Sequence, residues 1–594
     1  MTPGGPMGGG GMGGPQPGGE DKKDGVAEAA PKTPGLLPTT PALPPPKGRR
    51  KRWKLLELDG YFRLRTDWFK NFHLGFTDDP ALGGAPFRRA LSCNRVNAGC
   101  DNSLSSTNMR LRLEPTFNID EGTSIHVQAD VYDNLVLGST PLGEDYSGIY
   151  SDTNLPPVGA FTEGQDPSVA GKNSDRDALT VKRAWAEVAV PLGILKFGRQ
   201  PNHWGLGVWN NGGGNDPING TYDYDGDYGD TVDRVSFSAI IPGTSLRAMI
   251  ASDWNATRFV SNQTVANKGN EGHPYDLEDG DDSNSWVGVI SKMDSPQEFR
   301  DTVDRGDVAF NWGIYFEYKT QDWDQNLNGF TLGGSPDPLS YVPRNLKTYS
   351  PDLWAKLGIG NVLLEGELVG QFGTLKSVAD LDISGDHEIR KLGGVGRVTW
   401  KGVEGKLRLG FESGFATGDQ WDSQANGTTV EGLTNVAYAN QLGDPNVCNT
   451  QHSCTYSQFI FDREYKVDMI LWRRLYGAVT NAVYAKPFLS YDLTKSITFK
   501  VSNITSFALK PIATPGNSDL YGTEFNGDLG YNGHRLFAGF SYGVLFPFGA
   551  MSHPVTDVLQ GGTGYGYGPD VNGDANVGDG GTAHTIQMRM VLGF

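Results

Sequence analysis

Apolar and polar residues alternate along most of the chain after Trp53. In the stretch 56–65, Leu56, Leu58 and Leu64 share one face, and Glu57 and Arg63 lie on the other. The same alternation recurs at 109–119, 125–132, 308–319 and 406–412. A helix would spread each apolar set over every face, whereas in a strand it lines one face. The pattern therefore predicts β-strands.

The connections between these strands alternate between short turns and long polar loops. Short turns are predicted near 120–123, 191–193, 242–244, 358–361, 401–405, 493–495 and 531–534, with a slightly longer one near 294–306. Long loops are predicted near 69–105, 138–178, 201–231, 254–283, 320–348, 374–386, 418–465, 509–519 and 548–581. Such alternation is typical of transmembrane barrels with short periplasmic turns and long extracellular loops.

These observations predict an all-β fold over 53–594, a transmembrane antiparallel up-and-down β-barrel of about 18 strands. Both chain ends would lie on the short-turn side. A soluble β-sandwich or β-propeller would alternate as well. Such a soluble fold would not explain the alternation of short and long connections. Nor would it explain why aromatic residues lie on the apolar faces, at Trp312, Phe316, Tyr318 and Trp400.

Composition agrees with a barrel. The chain has 81 glycines, 11% aromatic residues and a net charge of −18, with a mean hydropathy of −0.41. No stretch approaches the roughly 18–20 consecutive apolar residues of a membrane helix, which excludes a helical membrane protein.

The first 52 residues differ from the rest. Residues 1–46 are Gly/Pro-rich without core-forming periodicity, so residues 1–52 are predicted to be disordered and periplasmic. The basic run 47–54 could mark nucleic-acid binding, but its place beside the first strand favours an anchor at anionic headgroups. No signal peptide is visible at Met1, so an exported barrel would need one upstream.

The last strand favours an outer-membrane location. Apolar residues fall on one face and end in an aromatic residue, at Ile586, Met588, Met590, Leu592 and Phe594. This set resembles the C-terminal signal read by the outer-membrane assembly machinery. An ordinary terminal strand of a soluble sheet is the alternative. We expect the strand to pair with the one that opens near Trp53.

The four cysteines form two near-neighbour pairs, Cys93 with Cys100 and Cys448 with Cys454. Local disulfides that staple loops in an oxidising compartment are the simplest reading. A zinc site is the rival, but the spacings match no zinc pattern.

By parity, many charged residues face the interior of the predicted barrel. The predicted pore-lining set is Arg63, Arg65, Arg110, Arg112, Glu114, Asp130, Arg247, Glu317, Glu365, Glu367, Lys391, Arg397, Lys406, Arg408, Glu412, Lys500 and Arg589. An excess of cations could form an anion-selective constriction. The alternative is a lattice of cross-strand ion pairs along the wall. Mixed signs on single strands favour the lattice for most members.

Two polar stretches admit two interpretations each. Residues 461–474, with poor alternation, are either a loop folded into the barrel or the upper part of a strand. The acidic run 223–230 could supply a weak calcium site through Asp223, Asp225, Asp227 and Asp230, or be a solvated loop. No other cofactor is predicted. Loop-bound divalent ions could bridge to lipopolysaccharide.

Several short stretches resemble outer-membrane porins. They are 183–187 with 195–200, 481–485 with 488–493, and 522–525 with 542–547. The second and third are similar to porins of the alginate-export type. The resemblance implies a channel for diffusion or export of small or polymeric solutes, anionic or neutral. Its partners would be membrane lipid, lipopolysaccharide, the assembly machinery and the solute, and not nucleic acid.

Two other functions remain as alternatives to a channel. One is a surface structural or adhesin barrel with a plugged lumen. The other is a barrel hydrolase, for which His126 beside Ser124 and Asp130 is the candidate site. A wall histidine bonded to its neighbours explains His126 more simply, and no catalytic motif accompanies it, so the sequence predicts no enzyme.

Overall fold

The alternating segments form one continuous antiparallel sheet in the computed structural model. The structure describes residues 54–74, 103–137, 139–141, 165–167, 179–213, 215–216, 221–222, 225–226, 229–254, 283–325, 331–332, 335–336, 341–376, 387–418, 455–511, 514, 518–552 and 580–594. The predictions for residues 1–52 and for the four cysteines lie outside these ranges.

Eighteen strands of the described chain build the barrel wall. In chain order they are β1 (Leu56–Lys70), β2 (Ser103–Asn118), β3 (Thr123–Val136), β4 (Leu179–Val190), β5 (Gly193–Pro201), β6 (Thr231–Ile240), β7 (Arg247–Trp254), β8 (Asn284–Lys292), β9 (Ala309–Gln325), β10 (Tyr341–Ile359), β11 (Val362–Leu375), β12 (His387–Gly402), β13 (Leu407–Ala416), β14 (Ala482–Asp492), β15 (Ile497–Ala508), β16 (Leu520–Asn532), β17 (Leu536–Pro547) and β18 (Ala583–Gly593). The predicted count of about 18 strands is confirmed.

Each strand pairs with its neighbours in the chain, and the last pairs with the first. β18 runs antiparallel to β1, with Arg65 opposite Arg589 and Tyr61 opposite Gly593. The backbone N–H of Phe594 donates to the carbonyl of Gly60 at 3.1 Å. The sheet therefore closes on itself, which removes both free edges. The expected pairing of the terminal strand with the opening strand is present.

The two ends of the barrel differ in their connections. Short connections join the strands at one end, here named the turn end, where β1 begins and β18 finishes. The opposite end is the loop end. At the turn end the β8–β9 connection contains helix α1 (Pro296–Asp304), which starts with a capping box of Ser295 and Glu298.

Several shorter elements are not part of the barrel wall. Ser139–Pro141 pairs with Gln165–Pro167, Asn215–Asp216 with Thr221–Tyr222, and Thr331–Leu332 with Ser335–Pro336, while Thr455–Tyr456 lies parallel to β12. A π-helical turn spans Leu471–Leu475 and a 3-10 turn spans Gly549–Met551. No helix in the described ranges has the length and apolarity needed to cross a membrane.

The two faces of the wall have opposite chemistry. On β9, Phe310 and Ile314 are exposed on the outside, whereas Glu317 and Lys319 are buried on the inside. The apolar residues of the last strand also lie on the outer face. Met588, Met590, Leu592 and Phe594 are exposed there, and Ile586 is partly exposed. The wall is thus apolar outside and polar inside.

The hydrophobic core of the protein lies inside this polar barrel. Two segments that leave strands at the loop end supply a large part of it, and we name them the Trp204 segment (202–213) and the Trp472 segment (457–481). Of the two interpretations of residues 461–474, the inward-folded loop is therefore the one that the structure shows.

Candidate functional site: the barrel interior

The predicted pore-lining residues lie on the inner face of the wall, with one exception. Those that are buried there are Arg63, Arg65, Arg110, Arg112, Asp130, Glu317, Glu365, Glu367, Lys391, Arg397 and Glu412. Those that are partly exposed are Glu114, Arg247, Arg408, Lys500 and Arg589. Lys406 is the exception, because it lies exposed in the turn that precedes β13.

The Trp204 segment is held to the wall by one carboxylate. Glu367 of β11 accepts hydrogen bonds from the backbone N–H groups of Gly207 and Val208 at 3.1 Å, Trp209 at 3.3 Å, and Leu206. Gly205 has φ +57°, and a Cβ there would lie 2.4 Å from the Glu367 carboxylate. A glycine is therefore required for the backbone to approach this closely.

A second wall carboxylate holds the Trp472 segment. Glu524 of β16 accepts from the backbone N–H groups of Met469 at 2.8 Å, and of Ile470 and Leu471 at 3.0 Å. Asp468, within the segment, accepts from the N–H groups of Trp472 and Arg473, both at 3.0 Å. These bonds satisfy amides that the interior would otherwise leave unpaired.

Burial affects the ionisation of Asp468. The pKa of this carboxyl rises to about 6, because burial outweighs the two backbone bonds and the nearby charges of Lys486 and Arg473. The Asp468 side chain thus titrates near neutral pH while it helps to shape the Trp472 segment.

Small residues on the inner wall make room for the aromatic side chains of these segments. A Cβ at Gly313 of β9 would lie 2.4 Å from the Trp204 ring, and a Cβ at Gly393 of β12 would lie 2.3 Å from Phe459. The Trp209 and Phe459 rings then meet at 5.5 Å between centroids, which joins the two segments. The glycines of the inner wall and the aromatic rings of the two segments therefore have complementary shapes.

Most inner charges belong to a lattice of cross-strand pairs. Bidentate hydrogen bonds of 2.6–2.7 Å join Arg112 to Asp130 and Arg234 to Asp253, on directly opposed positions. Arg397 likewise contacts Glu412, and Arg408 contacts Asp492. Of the two interpretations of the inner charges, these pairs support the lattice.

The wall formed by β18, β1 and β2 departs from that lattice. Here Arg65 lies directly opposite Arg589, and Arg63 directly opposite Arg110. Directly opposed like charges destabilise a sheet unless something intervenes. Asp67 neutralises part of the charge, with its Oδ2 3.0 Å from Arg65 Nε.

Asp225, from the β5–β6 connection, sits among these cations. Its Oδ1 lies 3.2 Å from Arg65 Nη1, and its Oδ2 lies 3.3 Å from Arg589 Nη1 and in contact with Arg473. Lys466 Nζ donates to the Asp225 carbonyl at 2.8 Å. We name Arg65, Lys466, Arg473 and Arg589 the cationic cluster.

The charges of the cationic cluster govern the ionisation of Asp225. Burial alone would raise its pKa, but Arg473, followed by Arg589, Lys466 and Arg65, holds the pKa well below the usual range. The cationic cluster therefore favours the ionised form of Asp225. The Asp225 carboxylate contacts guanidinium groups, and their positive charge disfavours a divalent cation at this position.

The remaining members of the predicted calcium set are placed differently. Asp230 accepts from the Asn211 N–H at 3.3 Å, and Asp223 and Asp227 lie outside the described residues. No group of three or more potential metal ligands occurs in the described ranges. A calcium site in this run stays a prediction.

His126 is bonded as a wall histidine. Ser124 Oγ lies 2.9 Å from its Nε2, and Thr116 Oγ1 lies 3.1 Å from its Nδ1. In a catalytic triad a carboxylate would orient Nδ1, but Asp130 is bound to Arg112 and Glu187 approaches Nε2 at 3.9 Å. The geometry does not assemble the hydrolase site that was the alternative interpretation of His126.

Several residues of this interior are absent from the predicted pore-lining set. Arg234, Asp253 and Glu524 have the inward parity of their strands, so the alternation could have found them. Glu524 even lies within the stretch 522–525 that carries the porin resemblance. Asp225, Lys466 and Arg473 come from connections, where no periodicity indicates direction.

No family model and no curated protein matches the chain. Solved porin structures align with it at low similarity. Pseudomonas aeruginosa OccK11 (OpdR) shares 9% identity with a TM-score of 0.41, and the alignment covers 90% of this chain and 96% of that chain. A BenF-like porin from Pseudomonas fluorescens Pf-5 shares 10% identity with a TM-score of 0.42, covering 91% and 99%.

A third solved structure is an anion-selective porin from Comamonas acidovorans. It shares 9% identity with a TM-score of 0.33, over 91% of this chain and 99% of that chain. These three structures do not support the alginate-export type in particular. The architecture of this chain rests on its own strand pairing, which is that of a porin-like barrel.

Proposed function

We propose that this chain is an integral outer-membrane channel for small anionic or neutral solutes. The observation that carries the proposal is a closed barrel of 18 strands with an apolar exterior and a charged interior. Barrels of about 16–18 strands are wide enough to enclose an aqueous channel. The proposal includes a periplasmic turn end and N-terminal segment, and an extracellular loop end.

The outer face supports a membrane location. Large apolar side chains such as Phe310, Ile314, Trp400 and Leu592 are each at least 40% exposed on it. In water such a continuous surface would drive aggregation, whereas lipid tails satisfy it. The proposed partners are therefore membrane lipid and lipopolysaccharide. The exposed terminal set ending at Phe594 supports recognition by the assembly machinery.

The two inward segments favour small solutes over polymers. Trp204, Trp209, Phe459 and Trp472 are buried inside the barrel, so the segments narrow its bore. A polymer would have to displace these segments to pass through the barrel. A small solute would need only a gap between the segments and the wall.

The wall around the cationic cluster favours anions. Arg63, Arg65, Arg110 and Arg589 lie together on three adjacent strands, and rings of arginine favour anion passage. The cross-strand pairs elsewhere in the wall are balanced in charge. Selectivity would therefore arise on this side of the interior.

A plugged surface barrel is the second candidate function. The burial of Trp472, Phe459 and their neighbours inside the wall favours it, because a packed core could block the bore entirely. Swelling of proteoliposomes separates the two candidates.

We expect proteoliposomes to swell in small neutral sugars and small anions, but not in oligosaccharides. Liposomes that carry the heat-denatured protein serve as the control. Absence of swelling in every solute would contradict the channel and favour the plugged barrel. Equal swelling in oligosaccharides would contradict the narrowed bore.

A further inference from the structure

The outer face of β10–β12 is apolar from the turn end to a sharp border near the loop end. Every outward residue is apolar, aromatic or glycine over Tyr349–Ile359 on β10, Val362–Phe372 on β11 and Leu392–Trp400 on β12. At about 3.3 Å per residue and a strand tilt of about 40°, the two longer stretches span roughly 25 Å. This is the height of the apolar band of an outer-membrane barrel.

A row of aromatic residues marks the loop-end border of this band. Trp286, Tyr318, Tyr349 and Phe372 lie directly opposite one another on β8, β9, β10 and β11. The rings of Tyr318 and Tyr349 stack with 5.0 Å between their centroids. Arg390 continues the row on β12, opposite Phe372. Because aromatic girdles lie at the membrane–water interface, Arg390 lies at the level of lipid headgroups.

Three cations face outward at this row or beyond it towards the loop end. Lys347 of β10 and Lys376, which follows the last residue of β11, are both exposed. The side chain of Arg390 is 64% exposed. Lys347 and Arg390 are two strands apart and offset by two residues, so their Cα atoms lie roughly 12 Å apart. We name Lys347, Lys376 and Arg390 the outer cationic patch.

Carboxylates balance this patch only in part. Glu388 contacts Arg390 at 2.5 Å, and its side chain is 51% exposed, so water screens the pair. Within the described ranges, Lys347 and Lys376 form no ion pair, either with Glu388 or with Asp322, the outward acid farther along β9. Two of the three cations are therefore available to a ligand.

An outward arginine elsewhere in the wall shows the contrast. Arg199 of β5 donates two hydrogen bonds of 2.7–2.8 Å to the carboxylate of Asp233 on β6, which balances its charge. The protein as a whole has a net charge of −18. An outward excess of positive charge on β10–β12 is therefore a local exception that calls for an anionic partner.

The surroundings of the patch indicate which anion fits. A guanidinium group binds phosphate oxygens in pairs, and an ammonium group binds phosphate as a point charge. The apolar band directly below the patch suits acyl chains. A ligand that satisfies both parts joins phosphate groups to acyl chains, which makes it a phosphorylated lipid.

We propose that the outer cationic patch binds the phosphate groups of lipopolysaccharide, whose acyl chains lie against the apolar outer face of β10–β12. The inference rests on the proposed function for the membrane and for the extracellular position of the loop end. Binding of the lipid can nevertheless be measured without conduction.

The test is a calorimetric titration of the detergent-solubilised protein with bisphosphorylated lipid A, the lipid part of lipopolysaccharide. The double variant Lys347→Gln with Arg390→Gln should bind about thirtyfold more weakly than the unaltered protein. The control is Lys401→Gln with Lys495→Gln, which removes two exposed lysines at the turn end and should keep the affinity. Equal affinities of the two double variants would overturn the inference.

A variant that gains affinity covers the case in which the first double variant does not assemble. Glu388→Gln removes the acid that contacts Arg390, so it should bind lipid A about fivefold more tightly. Asp233→Asn removes the acid of the Arg199 pair and should leave the affinity unchanged. An unchanged affinity of Glu388→Gln would overturn the inference.

Two further lipids identify the group that is bound. Lipid A without its phosphates should bind the unaltered protein as weakly as bisphosphorylated lipid A binds the first double variant. Tight binding of this lipid would overturn the role of phosphate. Phosphatidylglycerol micelles should also bind more weakly, because each headgroup carries one phosphate. Equal binding of phosphatidylglycerol would overturn lipopolysaccharide as the occupant.

The two proposals fail in different ways. Phosphate-dependent binding of lipid A at the patch, in a protein that conducts no ions, would support the lipid site and contradict the channel. Conduction by a protein whose affinity for lipid A does not depend on the patch would support the channel and contradict the lipid site.

Discussion

At the scale of single residues, carboxylates organise the interior of this barrel. Glu367 and Glu524 each collect several backbone N–H groups from a segment that has no strand partner there. A typical intramolecular hydrogen bond contributes about 0.5–1.5 kcal/mol. Two wall residues therefore carry much of the polar attachment of the inward segments.

Asp468 should make the Trp472 segment sensitive to pH. Its pKa is raised from 3.8 to about 6 with the segment docked, so the docked state binds the proton more tightly than a released state would. The docked state is therefore favoured fully at acid pH and loses that advantage as pH rises through about 6.

We expect single-channel conductance to increase between two pH values that lie on either side of about 6. Glu524, Lys486 and Arg473 face Asp468, and all three side chains are retained in Asp468→Asn. That variant is neutral at both pH values, so the increase should shrink or vanish. An undiminished increase in Asp468→Asn would assign the pH dependence to another group.

At the scale of elements, the strands were predictable and the inward segments only in part. Alternation identifies a strand locally, so β1, β9 and β18 follow from the sequence together with their inner and outer faces. Pairing of β18 with β1 follows from the even strand count and the shared end of the chain termini.

The Trp204 segment was predicted as part of a polar loop. Gly and Asn residues dominate the surrounding stretch, and they obscure the alternation of Trp204, Leu206 and Val208. Tryptophans within a loop were the available signal. The contact of Asp225 with Arg65 and Arg473 had no local signal, because it joins three distant parts of the chain.

The inner-wall glycine at 393 offers a test of how the Trp472 segment fits. Gly393→Val would force a side chain into Phe459, and overpacking costs about 1–3 kcal/mol. We expect this substitution to loosen the segment and to increase single-channel conductance.

Gly396→Val is the matched control on the same strand. Gly396 faces outward, and a Cβ there meets nothing within 4 Å. It should leave conductance unchanged. Equal conductance changes in the two variants would show that the effect does not come from the fit of Phe459.

At the scale of the whole molecule, the barrel inverts the usual arrangement of a soluble protein. Apolar residues cover the outside, a charged lattice lines the wall, and a smaller apolar core lies inside it. The apolar outer face of the wall needs lipid around it to be stable. The inner core needs the wall, because the wall carboxylates bind its backbone N–H groups. Transport would then depend on how far the two segments close the bore.

Single-channel recording in a planar bilayer under a salt gradient tests the central claim most directly. A narrowed, arginine-lined channel predicts stepwise conductance and a reversal potential on the anion-selective side. Stepwise conductance with cation selectivity would contradict the role given to the cationic cluster. A barrel that inserts without any conductance would contradict the channel itself.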